Sequence, residues 1–231
     1  MKNDAPNAAL QAVPERITSF ILDNTSLQSL EFVPELQLYL ADEAHDLWHK
    51  TEKELANIGL PPPFWAFAWA GGQGLARYIL DHPELVRGKI VLDFASGSGL
   101  VGIAAMKASA QSVICADIDV FARPAMALNA AANGVDLSSI SDNLIGQDHG
   151  WDVVLAGDVF YDKAFADLLM PWFRQLAKRG ALVLMGDPGR AYVPKNNLAE
   201  QALYQVPVTR ALEDADVKST HIWCFADAAL K

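Results

Sequence analysis

The residues with the clearest chemical potential are acids that follow short apolar runs. Asp158-Val159-Phe160-Tyr161 sets a carboxylate and a phenol three residues apart, directly after the apolar run 151–156. Asp93-Phe94-Ala95-Ser96-Gly97-Ser98-Gly99 closes another run with an acid and a turn of small residues. Such a turn lets a ligand lie directly on backbone N–H groups. Asp117-Ile118-Asp119, Asp142-Asn143 and Gly186-Asp187-Pro188-Gly189-Arg190 follow three further strand-like runs.

The chemistry these residues suit is not phosphate chemistry. No Walker lysine follows the glycines, and their spacing is D-x-A-x-G-x-G rather than G-x-G-x-x-G. An acid in the turn points toward a cationic ligand. Asp117, about twenty residues past the turn, stands where a carboxylate takes a ribose hydroxyl pair. Adenosine with a positive charge near Asp93 describes S-adenosylmethionine. The turn (Asp93, Ala95, Ser96, Gly97, Gly99) then holds the methionine and sulfonium part, Asp117 the ribose, and Asp142 with Asn143 the adenine; Ile118 and Gly157 adjoin this set.

These residues must be positioned by strand–helix alternation. Strands are predicted at 90–94, 112–117, 138–141, 151–156 and 181–185, with helices at 100–108, 121–133 and 165–178. Two closing strands, 203–209 and 219–225, are separated by a turn in which no helix fits, which predicts an antiparallel hairpin. In an open parallel sheet ligands bind beyond the carboxyl ends of the strands, so the acids above should converge on one edge.

Upstream, the pattern predicts a short helix at 14–23, loop or strand at 27–32, and a helix from Pro34 to about residue 55. His45 and His49 share a face of that helix at metal-ligand spacing, but no third ligand accompanies them, so they are read as surface or packing residues and no metal is expected. Three prolines, 61–63, break the helix before Trp65, Phe67 and Trp69, which alternate as in an extended segment. Those rings either plug the domain or line a pocket. Gly71-Gly72 is read as a flexible turn into a helix at 73–80.

Bulk properties narrow the partners. The 231 residues suit one large α/β domain, and 52% are hydrophobic. Net charge is −10, with ten acids against four bases in residues 1–60. That repels nucleic acid and anionic lipid and suits a basic partner such as a lysine-bearing protein segment. Cys115 and Cys224 lie in apolar runs and read as reduced core residues. With no transmembrane run and no leader pattern, the expectation is a cytoplasmic monomer that touches neither membrane nor nucleic acid.

The D-x-A-x-G-x-G turn, the acid ending the second strand and the closing hairpin resemble class I S-adenosylmethionine-dependent methyltransferases, over residues 64–231. Ala95 stands where many members carry the turn's first glycine. The resemblance implies an α/β, Rossmann-like seven-stranded sheet, mostly parallel with an antiparallel last strand, as a domain at 61–231 behind an N-terminal helical extension at 1–60. Asp158-x-x-Tyr161 is similar to the motif of seven-strand protein-lysine methyltransferases. The stretch 64–72 with 186–190, and 34–48 at the N-terminal side, resembles the lysine methyltransferases of the electron-transfer flavoprotein β subunit.

By that resemblance the chain is an S-adenosylmethionine-dependent protein-lysine N-methyltransferase whose partner is the flavoprotein β subunit. Asp158 and Tyr161 are the catalytic pair, Trp69 and Gly71 join the cofactor set, and Trp65, Phe67, Phe160, Asp187 and Arg190 frame the substrate. The alternatives are another protein such as a ribosomal one, a small molecule, or a non-catalytic cofactor-binding regulator. Plainer readings stand beside these: Asp158 as cap of the following helix, Asp93 as a brace for its turn, and Asp-Pro-Gly as a simple turn sequence.

Overall fold

In the computed structural model, residues 5–42, 62–194 and 196–226 are described. The central strand β3, Ile90–Phe94, is the residue-for-residue product of its sequence, an apolar run flanked by turn formers. Val91, Leu92, Asp93 and Phe94 are all buried, as expected of a parallel strand covered on both faces. Numbering from the N-terminus, the helices among the described residues are α1 (Ala5–Asn24), α2 (Ala70–Asp81), α3 (Leu100–Lys107), α4 (Ala122–Asn133), α5 (Lys163–Arg179) and the single turn α6 (Arg210–Glu213). The other strands are β1 (Ser26–Ser29), β2 (Gln37–Leu40), β4 (Ser112–Ala116), β5 (Ser138–Ile140), β6 (Val153–Gly157), β7 (Leu182–Asp187), β8 (Leu198–Pro207) and β9 (Val217–Phe225).

Seven strands form one sheet in the order β5-β4-β3-β6-β7-β9-β8. Strands β3 to β7 pair parallel, and β9 runs antiparallel to both β7 and β8. One face packs Val91, Val113, Leu155 and Leu184 against Leu75 and Ile79 of α2, Val101 of α3 and Met126 of α4. The other packs Leu92, Phe94, Val154 and Met185 against Leu169, Trp172, Phe173 and Leu176 of α5. The chain runs from β3 out to β5, then returns to place β6 on the opposite side of β3. That reversal makes the carboxyl ends of β3 and β6 the crevice of the sheet.

Five features differ from the sequence-based expectation. Helix α1 begins at Ala5, nine residues before the expected start at Pro14. No helix starts at Pro34: β2 is extended and pairs antiparallel with β1. Leu36, Leu38 and Leu40 are buried, and this period of two outweighs the helical spacing of Leu36 and Leu40. These leucines pack on Ala76, Leu100, Ile103 and Ala104 of α2 and α3. The remainder of that expected helix, with His45 and His49, lies outside the described residues. The stretch at 64–66 is a turn of 3-10 helix rather than extended chain. The closing hairpin carries the helical turn α6, where none was expected.

Gly71 and Gly72 form the first turn of α2 instead of a flexible link. A Cβ on Gly71 would lie 2.4 Å from the Gly186 carbonyl oxygen and 2.5 Å from Asp158 Oδ2. A Cβ on Gly186 would lie 2.2 Å from the Gly71 oxygen, and one on Gly157 would lie 2.8 Å from Gly72 Cα. These glycines are therefore a packing requirement: the start of α2 rests backbone on backbone across the ends of β6 and β7.

Candidate active site

The 95–99 turn leaves β3 with Ala95 at φ 53°, Gly97 at 51° and Gly99 at 80°, conformations that small residues tolerate. Ser96 locks it from below, its N–H reaching the Ala116 carbonyl at 3.2 Å and its Oγ the Asp93 carbonyl at 2.6 Å. Asp117, at the end of β4, accepts the Gly97 N–H at 2.8 Å and the Asp119 N–H at 2.9 Å. Ala95, Ser96, Gly97 and Asp117 are half-buried, and Ile118 is exposed. Asp142 and Asn143 are exposed beyond β5, where Asn143 Oδ1 accepts the Ile145 N–H. The donor set is backbone N–H with carboxylates, which fits a cationic nucleoside better than a phosphate.

Asp93 lies beneath this surface. It is 1% exposed, and its Oδ2 accepts the Gly102 N–H at 2.9 Å with the Cys115 thiol at 3.8 Å. It thus braces the turn against α3. Burial pushes its carboxyl up to about 7. Asp119 is likewise pushed by burial to about 6.

At the end of β6, Asp158 adopts φ 57°. Its Oδ2 accepts the Gly72 N–H at 3.1 Å, at the electropositive start of α2. Its Oδ1 accepts Arg190 Nε at 2.8 Å and lies 2.6 Å from Nη2. Burial pushes Asp158 up to about 6, with the Arg190 charge opposing that rise. The cap of α5 is Asp162, whose Oδ1 accepts the Phe165 N–H at 2.8 Å; Asp158 is free of that duty.

Arg190 is gripped from two sides. Glu213, 4% exposed on α6, accepts Nη1 at 2.9 Å and Nη2 at 2.7 Å. The guanidinium also sits 5.7 Å from the centre of the Trp69 ring. Asp187 is buried and shapes the 187–190 turn by accepting the Gly189 and Arg190 N–H groups through Oδ1. Burial raises its pKa, and its Oδ2 has no donor among the described residues.

The aromatic stretch divides. Trp65 and Phe67 are buried in the core, Trp65 stacked on Phe121 at 5.9 Å. Phe160 is also a core residue at 0% exposure. Phe64, Trp69 and Tyr161 form a rim instead: the Phe64 ring lies 5.9 Å from Trp69 and 5.7 Å from Tyr161. Phe64 and Tyr161 are 44% and 53% exposed, so they are available to a visiting chain. Glu213, Phe64 and Gly72 were not singled out from sequence as site residues. Phe64 had a usable signal, its position beside the alternating aromatics, whereas Glu213 sits in a turn with no local mark.

A stability prediction follows from the raised acids. Asp93 and Asp158 have folded pKa values above the ordinary carboxylate range. Between about pH 4 and pH 7 the native state holds protons that the unfolded chain has released, so stability falls as pH rises through that window. For Asp93 alone the fall is on the order of 4 kcal/mol. Calorimetry of the ligand-free protein should show a higher melting temperature at pH 5.5 than at pH 8; the reverse order refutes it.

A doubly wound sheet with a glycine turn after its central strand, an acid after the next strand and an antiparallel final strand defines a class I S-adenosylmethionine-dependent methyltransferase. The ribosomal protein L11 methyltransferase (PrmA) family matches residues 78–191. Electron transfer flavoprotein beta subunit lysine methyltransferases align over most of the chain. The Danio rerio protein is 37% identical, covering 90% of this chain and 82% of that one, and the Xenopus laevis protein is 37% identical, covering 95% and 92%. The chain belongs to the electron transfer flavoprotein beta subunit lysine methyltransferase family. Among solved structures, a ribosomal protein L11 methylase from Lactobacillus delbrueckii matches at 22% identity and a TM-score of 0.47, covering 68% of this chain and 79% of that one.

Proposed function

We propose that this chain methylates lysine side chains of a protein, and that the protein is the electron-transfer flavoprotein β subunit. The observation that carries the reading is the buried, ion-paired Asp158 beside an exposed aromatic rim. The names of the relatives supply the partner. The 95–99 turn and Asp117 are assigned to the methionine and ribose parts of S-adenosylmethionine, and Ile118, Asp142 and Asn143 to its adenine side. Bound there, the cofactor supplies an electrophilic methyl group.

The chain's own residues must then deliver a neutral amine, because an ammonium has no lone pair and free lysine has a pKa near 10.4. A lone carboxylate works against this. At about 4 Å and an effective dielectric near 20 it favours the ammonium by about 4 kcal/mol, roughly three pKa units. Arg190 changes the balance. Its guanidinium touches Asp158, so an amine that hydrogen-bonds to Asp158 also meets a positive charge at similar range. Asp158 can then orient the amine without holding its proton. Above about pH 6 Asp158 is ionised and able to accept that proton.

The rings of Phe64, Trp69 and Tyr161 suit the methylene stem of a lysine, and their apolar faces exclude water. Asp158, Glu213 and Asp187 outnumber Arg190 and Lys218 by one, leaving a weakly acidic cluster that draws a cationic side chain inward. The acidic composition supports a protein that avoids nucleic acid and the buried thiols a reducing, cytoplasmic compartment, with 61–231 as the proposed catalytic unit, 1–60 as an extension and a monomer as the proposed state. No described helix is long and apolar enough to cross a membrane.

Incubation with S-adenosylmethionine and purified electron-transfer flavoprotein β subunit should add mass in steps of one methyl, mapping to lysines by tandem mass spectrometry. Methyl transfer confined to RNA or metabolites of a cell extract would overturn the lysine reading.

A further inference from the structure

Two asparagines on α4, one helical turn apart, join the N-terminal hairpin to the 95–99 turn. Asn129 is 0% exposed and Asn133 8%. Asn133 reads one residue of β2 as a neighbouring strand does: its Oδ1 accepts the Gln37 N–H at 3.1 Å and its Nδ2 donates to the Gln37 carbonyl at 2.6 Å. Asn129 Oδ1 accepts the Tyr39 N–H at 2.7 Å. Its Nδ2 donates to the Ser98 carbonyl at 2.8 Å.

One carboxamide thus has its oxygen on the hairpin and its nitrogen on the turn. Ser98 lies between Gly97 and Gly99, both at positive φ, so the orientation of its peptide sets the curvature of that turn. Ser98 is 5% exposed, and a buried carbonyl without a donor is costly. An amide has only one orientation that places oxygen toward Tyr39 and nitrogen toward Ser98. The Tyr39 N–H therefore selects the orientation that serves the turn.

We propose that Asn129 is a positioning residue for the cofactor turn, and that the N-terminal hairpin is part of the cofactor site through it. This rests on the assignment of the 95–99 turn to S-adenosylmethionine, so the test separates the two. Affinity for S-adenosylmethionine and S-adenosylhomocysteine is measured by titration calorimetry on wild type, Asn129→Asp, Asn133→Ala and Asp117→Ala, with melting temperatures alongside.

Asn129→Asp, assayed at pH 9 so that its buried carboxyl is ionised, keeps an acceptor for Tyr39 and removes the donor to Ser98. Its affinity should fall about tenfold, the scale of one buried hydrogen bond. Asn133→Ala loosens the hairpin at Gln37 and leaves the Asn129 bond to Ser98 in place, so it should lose clearly less affinity than Asn129→Asp, although its melting temperature drops. Asp117→Ala should lose affinity whether or not Asn129 matters; unchanged binding there would sink the assignment of the site. Asn129→Asp binding like wild type, or Asn133→Ala binding as weakly as Asn129→Asp, overturns the proposal. A second readout needs no variant. In wild-type protein the cofactor should slow hydrogen exchange at the Tyr39 amide, and an unchanged rate there counts equally against it.

Discussion

Asp158→Asn is expected to lower kcat by about a hundredfold or more while S-adenosylmethionine binding stays within about threefold. Asparagine tolerates the positive φ of this position and keeps an oxygen for the Gly72 N–H. What it loses is charge. The amine then has no anionic acceptor, and Arg190 keeps Glu213 as its one anionic partner among the described residues. Because the contact to α2 survives, a folding defect should not obscure the result. Asp158→Ala should be worse in stability and no better in rate. Single-turnover kinetics with calorimetric binding would decide it: transfer at the wild-type rate would falsify the role given to this carboxylate.

Arg190→Met is expected to destabilise the fold by about 3–5 kcal/mol before allowance for partial exposure. The side chain is 21% exposed, so the lower part of that range is the better expectation. The loss is mainly an electrostatic problem. Removing the cation leaves Asp158, its side chain 10% exposed, facing the buried Glu213, with backbone N–H groups and Lys218 at 3.8 Å as compensation. Adding Glu213→Gln should therefore recover part of the lost stability, a non-additivity that denaturant unfolding can measure. If the double variant is less stable than the sum of the singles, the ion pairs are not the source of the effect. The same substitution should also cost activity, since an unscreened Asp158 holds the amine as an ammonium.

What could be read from the sequence was whatever depends on neighbours along the chain. β3 and its glycine turn were legible because an apolar run, an acid and small residues each have one local meaning. The closing hairpin was legible because too few residues separate its strands for a crossover. The misread segment after Pro34 shows the limit: Leu36 and Leu40 satisfy a helix, and only the burial of Leu38 settles the period. The partners of Asp158 were out of reach for a different reason. Arg190 meets it because β6 and β7 are adjacent, and Glu213 because β9 inserts between β7 and β8, bringing α6 to the site. Strand order is not written in any window of residues. Asp162 as helix cap was equally available to a local reading, and its N-cap bond removes the plainer account of Asp158.

The contacts of Gly71, Gly72, Gly157 and Gly186 bear on how this enzyme can be altered. Backbone resting on backbone has no side chain to trim and no slack to give, so one wall of the proposed site behaves as an anvil. A chamber enlarged for a bulkier amine, or tightened to stop after one methyl, must be recut on its opposite side. Phe64 and Tyr161, whose exposed side chains meet each other ring to ring, are the positions where such engineering has room to work.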